Sequence, residues 1–199
     1  GQMPPLVTSR VDDGAVQLFR QWIRSMKPAA VVHEWTLADF AGDGLRVDRG
    51  RSFTQGEAAF QALGCVQCHR LGSSGGSVGP DLTGLGQRVT SPRDLLESIL
   101  EPSRVIAEGY ASYEFQLKDG SVVSGQIETE DARDVVLRGA SGVEAATRIA
   151  RDQIQGRQVL PVSNMPAGMV NTLEKDAVLD LLAYVLAGGN REAAAFKAE

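Results

Sequence analysis

"CVQCH", residues Cys65 to His69, limits this chain more than any other stretch. It holds both cysteines of the 199 residues and one of the two histidines. A Cys-x-x-Cys pair serves three chemistries: a redox disulfide, half of a zinc site, or, with His directly after the second Cys, covalent haem attachment. Structural zinc needs a second ligand pair, and only His33 remains outside the motif. A thioredoxin-like pair follows a strand and opens a long helix, whereas Gly, Ser and Pro follow almost at once here. Two buried free thiols are the bland reading. For haem, the spacing lets both sulfurs reach one face of a short helical turn, and His69 rises to the iron as proximal ligand.

A covalent haem makes demands on the rest of the chain. Before the motif, Ala58, Ala59, Phe60, Ala62 and Leu63 suit a short helix that Gly64 ends. After it comes "GSVGPDLTGLG", where Pro80 fixes the backbone among glycines. "SPRDLLESILEP" reads as a capped helix, with Ser91 as N-cap, Pro92 at the first helical position and Asp94 in the first turn. Leu95, Leu96, Ile99 and Leu100 share its apolar face, and Pro102 stops it. Near the end, Ala177, Val178, Leu181, Leu182, Val185 and Leu186 make an apolar stripe closed by Gly188 and Gly189. Just before that helix lies "SNMPAGM". A Met on a loop, followed by Pro, is a sensible thioether ligand for haem iron, and His/Met ligation raises the reduction potential. Both Met165 and Met169 are available, and either also serves as a flexible core filler.

The order helix, "CVQCH", "GPDL", helix, "MP", helix resembles the class I cytochrome c fold. It looks most like the haem-binding domain of large multidomain proteins of planctomycetes and verrucomicrobia. The matching pieces are "GEAAFQALGCVQCHRLG", "VGPDLTGLG", "LLESILEPS", "DGSVVSGQI" and "SNMPAGMVNTLEKDAVLDLLAYVL". The resemblance implies one covalent haem c on Cys65 and Cys68, with His69 as proximal and Met165 as distal ligand. It implies that the Pro80 carbonyl receives the proximal imidazole N–H, and that Leu82 belongs to the haem-binding set. Gly56, Phe60 and Tyr184 match positions where the first and last helices of such proteins cross.

Between residues 108 and 160 the period changes. "YASYEFQLKDGSVVSGQIETE" alternates around Asp119-Gly120, a hairpin signal. "DVVLRG" and "AATRIA" read as further strands joined by "ASG", and "DQIQGRQVLPVS" as a turn and a last strand entering the Met loop. The expectation is a small antiparallel sheet or five-strand barrel, with a pattern similar to Sm-like barrels. It serves as a docking module or a wall over one haem edge, or it is a tolerated surface insertion. Its Arg residues alternate with acids, and the net charge is -5; nucleic-acid binding has no basic stripe behind it.

The expected class is a mainly α cytochrome fold with an inserted small antiparallel β-sheet or barrel, α+β overall. The cytochrome domain takes residues 51–107 and 161–190, and the inserted module takes 108–160. Residues 1–50 form a helical segment and linker, read as the tail of a preceding domain. "MPPLVTSRVDDGAVQLFRQWIRSM" there echoes "MPAGMVNTLEKDAVLDLLAYVLAG" without a gap, setting Phe19 on Leu181 and Trp22 on Tyr184. The linker is expected to pack through Trp35, Leu37 and Phe40. A chain beginning with Gly reads as a processed or excised piece.

The expected function is single-electron transfer rather than catalysis, with a redox partner protein or a dehydrogenase domain of the same parent. Haem-based ligand binding with a displaceable Met is the alternative. Peroxidase chemistry lacks His, Arg or carboxylate in "VSNMPAGM", and a haem that mainly holds the fold is a further reading. Haem attached this way is assembled outside the cytoplasm, so a periplasmic location is expected. No apolar run reaches the roughly 20 residues of a membrane span.

Overall fold

A computed structural model describes residues 13–25, 31–89, 91–139 and 145–197. The chain divides into two compact units, residues 1–31 and 32–199. In the first, helix α1 (Asp13–Ser25) carries Asp13 in its first turn and Arg24 in its last, both favourable to the helix dipole. Leu18, Phe19, Trp22 and Ile23 are exposed on it. The stretch that echoes the C-terminal helix is thus itself helical from Asp13, while its Met3-Pro4 lies outside the described residues.

The second unit is built on a crossing of two helices, α2 (Phe53–Ala62) and α6 (Lys175–Leu186). Ser52 caps α2 by accepting from Gln55 N at 3.3 Å. Gly56 makes the crossing possible. A Cβ there would sit 2.6 Å from Tyr184 Cβ and closer still to the Asp180 carbonyl oxygen. Around this contact Tyr184 stacks on Phe53 and Phe60, with ring centroids 5.2 and 5.7 Å away.

Helix α6 was expected to bury one stripe; residues 178–185 are instead all buried. The second face is covered by chain from both ends of the unit. Arg51 N donates to Ala195 O at 2.9 Å, and Phe196 packs on Phe53. Asp180, only 8% exposed, accepts from Ser52 N at 3.0 Å, and Arg51 Nε lies 3.7 Å from the same oxygen. Each fully buried Leu or Val of this helix contributes about 1.5–3 kcal/mol relative to an exposed one.

Trp35, Leu37 and Phe40 join the same core, Phe40 fully buried. Trp35 Nε1 donates to Leu173 O at 3.0 Å, and Val32 N to Asn171 O at 2.8 Å. Residues 32–50 therefore pack with the cytochrome-like part. Helix α5 (Pro92–Leu100) follows its sequence signals: Ser91 Oγ accepts from Arg93 N at 3.1 Å, and Leu95 and Leu96 are buried.

Between them runs a chain of short elements: α3 (Cys65–Cys68), a two-residue ladder β1 (Arg70–Leu71) and β2 (Ser74–Gly75), and α4 (Leu85–Arg88). Beyond α5 come β3 (Ser112–Leu117), β4 (Val122–Glu130), β5 (Asp134–Arg138), β6 (Thr147–Ala150) and β7 (Ile154–Val159). They form one antiparallel sheet in the order β6-β5-β4-β3-β7. The last strand returns to the first, so β6 and β7 are the edges and the described sheet is open. Register shifts in β3 and β4 bend it. Phe115, Val135, Leu137 and Ile149 form its own small core. Glu130 ties it further, taking Arg151 at 2.5 Å and Arg157 at 2.9 Å. The hairpin at Asp119-Gly120 and the strands flanking it match the alternation. The expected "ASG" connection lies outside the described residues. Taken together the described elements make the chain mixed α+β.

Candidate functional site

Gly64 turns the chain out of α2, and α3 follows as a single helical turn. His69 N donates to Cys65 O at 2.9 Å and closes it. Cys65 and Cys68, three residues apart, lie on one face of this turn. Both are half-buried, and burial pushes the Cys65 thiol up. His69 then leaves the turn in extended backbone.

Its ring is held from behind. His69 Nδ1 lies 2.8 Å from the Pro80 carbonyl oxygen. A carbonyl only accepts, so Nδ1 carries the proton and Nε2 keeps its lone pair. Gly79 packs flat against the ring: a Cβ there would sit 2.7 Å from His69 Cε1 and 2.9 Å from Nδ1. The loop behind is laced to the motif by backbone bonds. Gly76 N donates to Val66 O at 2.9 Å, Gly79 N to Cys68 O at 2.8 Å, and Leu82 N to Arg70 O at 2.8 Å. Leu82 is half-buried against the main core.

Asp81 caps the loop's exit. Its Oδ1 accepts from Thr83 N at 2.8 Å, and Arg88 Nη2 donates to its carbonyl at 2.6 Å. Hydrogen bonds from Thr83 hold the Asp81 carboxyl below its ordinary value of 3.8, with Arg70 and Arg88 adding to them. A depressed folded pKa stabilises above the unfolded value, and the gain is lost as pH falls through the folded one. The loop should therefore keep this support at neutral pH and loosen only below pH 3.8. Asp81→Asn should flatten that acid limb, read as exchange of the Leu82 and Thr83 amides against pH.

Met165 lies on a separate loop and is half-buried. Its N donates to Ser163 Oγ at 3.1 Å, and Ser163 N donates to Ser103 Oγ at 3.0 Å. Asn164 Oδ1 accepts from Ser112 Oγ at 3.0 Å, while Asn164 Nδ2 is buried without a partner among the described residues. Met169 opens a different turn, Met169–Thr172, whose Asn171 is engaged by Val32, His33 and Trp35. His33 faces Asp39 at 3.5 Å and packs on Trp35. Cys65, Cys68, His69 and Pro80 thus form one hydrogen-bonded unit. No hydrogen bond among the described residues joins Met165 to it.

These residues fit haem c. Two thiols share one face of a turn, an imidazole has its tautomer fixed with Nε2 open, and a buried amide beside Met165 has a donor to spare. Residues 53–137 match the family described as cytochrome c.

That family carries covalently bound haem c and transfers electrons, and the match supports a haem-binding, electron-transferring stretch here. The match spans less than half of the chain, from the start of α2 to Leu137 in β5. Met165 and α6 lie beyond it. No curated protein matches the chain. No described helix is long and apolar enough to cross a membrane.

Sequence reasoning did not single out Gly79, Asp180, Ser112 or Asn164, and took Arg138 only as one of the arginines interleaved with acids. Gly79 and Asn164 sit inside the quoted "VGPDL" and "SNMP", but their contacts are between segments. A polar residue opening an otherwise well-patterned strand is the faint signal that Ser112 leaves.

Proposed function

We propose that the chain is a monohaem c-type cytochrome unit that passes single electrons, with thioether links on Cys65 and Cys68 and with His69 and Met165 as axial ligands. The observation that carries this is the 2.8 Å approach of His69 Nδ1 to the Pro80 carbonyl. It leaves Nε2 as the ring atom free to ligate and makes the ring a stronger donor to a metal.

When bound, the haem iron supplies a one-electron couple. The protein's part is to hold ligands in place through both oxidation states. Gly79 seats the imidazole, the Asp81 turn stiffens the loop behind it, and the Met165 thioether favours the reduced state. With both ligands retained, little rearrangement accompanies electron transfer. "VSNMPAGM" offers no acid or base for oxygen chemistry, so the chain is a carrier and not itself a catalyst. Its partner is a redox protein or a dehydrogenase domain that docks weakly, as redox encounters do. Haem attached covalently is assembled outside the cytoplasm, and the motifs resemble those of the planctomycete and verrucomicrobial haem-binding domains.

The test is spectroscopic. The oxidised, haem-loaded chain should show the weak near-infrared Met-to-iron charge-transfer band, and Met165→Ala should abolish it. A band that survives in the variant would falsify the assignment. Rapid imidazole binding to the untouched protein would favour a ligand-sensing role instead.

A further inference from the structure

The inserted sheet contains one rung unlike the others. Ser112 of β3 pairs with Gln126 of β4, and Gln126 pairs with Arg138 of β5. Directly opposed residues share a face. Phe115, Val135 and Leu137 are odd-numbered steps away along their strands, so they point to the opposite face, into the module's own core. The polar rung faces outward, where water is the ordinary neighbour. Yet Ser112 is 6% exposed and Gln126 3%.

What covers the rung is the rest of the second unit. At one end Ser112 Oγ donates to Asn164 Oδ1 at 3.0 Å, and Leu160 N donates to Ser112 O at 2.8 Å. In the middle Gln126 Nε2 donates to Tyr110 O at 2.9 Å. At the other end Arg138 Nη1 donates to Ser77 O at 2.7 Å. Asn164 adjoins Met165. Ser77 is two residues before Gly79, the residue on which the His69 ring rests. The ends of the rung are two strand spacings apart, roughly 9.4–9.8 Å.

We propose that the Ser112–Gln126–Arg138 rung is a brace that ties the Met165 loop to the loop behind His69, so that the inserted sheet positions both axial ligands. Its consequence for the iron rests on the His69/Met165 reading above. Ser112 and Arg138 are positioning residues: neither needs to touch the haem. A surface insertion with no such role would leave this rung solvated or apolar.

The test uses the full, haem-loaded chain. Ser112→Ala should speed amide exchange over residues 163–165 roughly two- to tenfold, the loss of one hydrogen bond. The same variant should tighten imidazole binding to the ferric protein by a similar factor, because Met165 is then easier to displace. Arg138→Met, which removes the donor, should speed exchange over residues 77–79 and shift the reduction potential while leaving the Met band in place. Ser112→Thr and Arg138→Lys, which keep the donors, should restore each value. Glu114→Ala, two residues along β3 from Ser112, should change neither loop.

Exchange at wild-type rates in both loops of the folded variants overturns the brace. So does loosening spread evenly over the whole sheet, which marks lost stability alone. A wild-type protein without the Met band refutes Met165 ligation instead, and loop exchange still decides the brace because it does not depend on the iron.

Discussion

Alanine at position 56 should lower the thermal midpoint of the haem-loaded protein by roughly 6–12 °C. Overpacking costs about 1–3 kcal/mol and occasionally more. The upper value applies here because the new methyl meets backbone. It would lie 2.6 Å from Tyr184 Cβ and 2.9 Å from the Asp180 carbonyl carbon. Neither α2 nor α6 can swing a side chain aside; the helices themselves must separate. Separation weakens the Tyr184 contacts with Phe53 and Phe60 and strains the Ser52–Asp180 bond. A loss of about 3 kcal/mol corresponds to that midpoint shift in a chain of this size. Ala58, exposed on the same helix, provides the control, and Ala58→Ser should stay within about 0.5 kcal/mol of wild type. Far-UV melting curves decide it. A shift below 2 °C, about the cost of an ordinary surface change, would mean that the helices do not cross this closely.

The second large effect falls on the iron. Gly79→Ala sets a methyl 2.7 Å from His69 Cε1 and 2.9 Å from Nδ1. The ring must tilt off the Pro80 carbonyl or the loop must retreat. Either way the bond that fixes the tautomer is lost. Changes of this kind behind a metal ligand typically cost 10–100-fold in affinity or activity. Haem should remain attached through Cys65 and Cys68, so the loss is not one of cofactor content. The expected result is an altered ferric spectrum, a raised reduction potential as the imidazole, no longer hydrogen-bonded to Pro80, becomes a weaker donor to ferric iron, and electron exchange slowed roughly 10–100-fold. An unchanged spectrum and rate would sink the idea that Gly79 seats the ring.

These two glycines show where sequence reading reaches and where it stops. Cys65, Cys68 and His69 are legible because their geometry is local: they fall within one helical turn and its C-cap. Ser91 and Pro92 are legible for the same reason, as a cap and a helix start close to each other in the chain. The strands between residues 112 and 159 follow from alternation and from Asp119-Gly120. Gly56 and the Pro80 carbonyl were named only through resemblance, since nothing local marks either. The full burial of α6 was hidden, because what covers Asp180 is Ser52 and Arg51 from 128 and more residues away. The brace was hidden too. Ser112 and Asn164 are 52 residues apart, and Arg138 and Ser77 are 61 apart. Hydrophobic period tells which face of a strand is wet in isolation; it does not tell which polar face another segment will cover.

The return of β7 beside β3 has a consequence in time. The α3 turn and His69 are local in sequence and close without the sheet. The Met165 loop emerges from β7, whose pairing with β3 joins segments separated in sequence by β4 to β6. Pairing strands that far apart is slow compared with closing a helical turn. Folding is therefore ordered: the turn that carries Cys65, Cys68 and His69 closes first, and the sheet that sets down the Met165 loop follows.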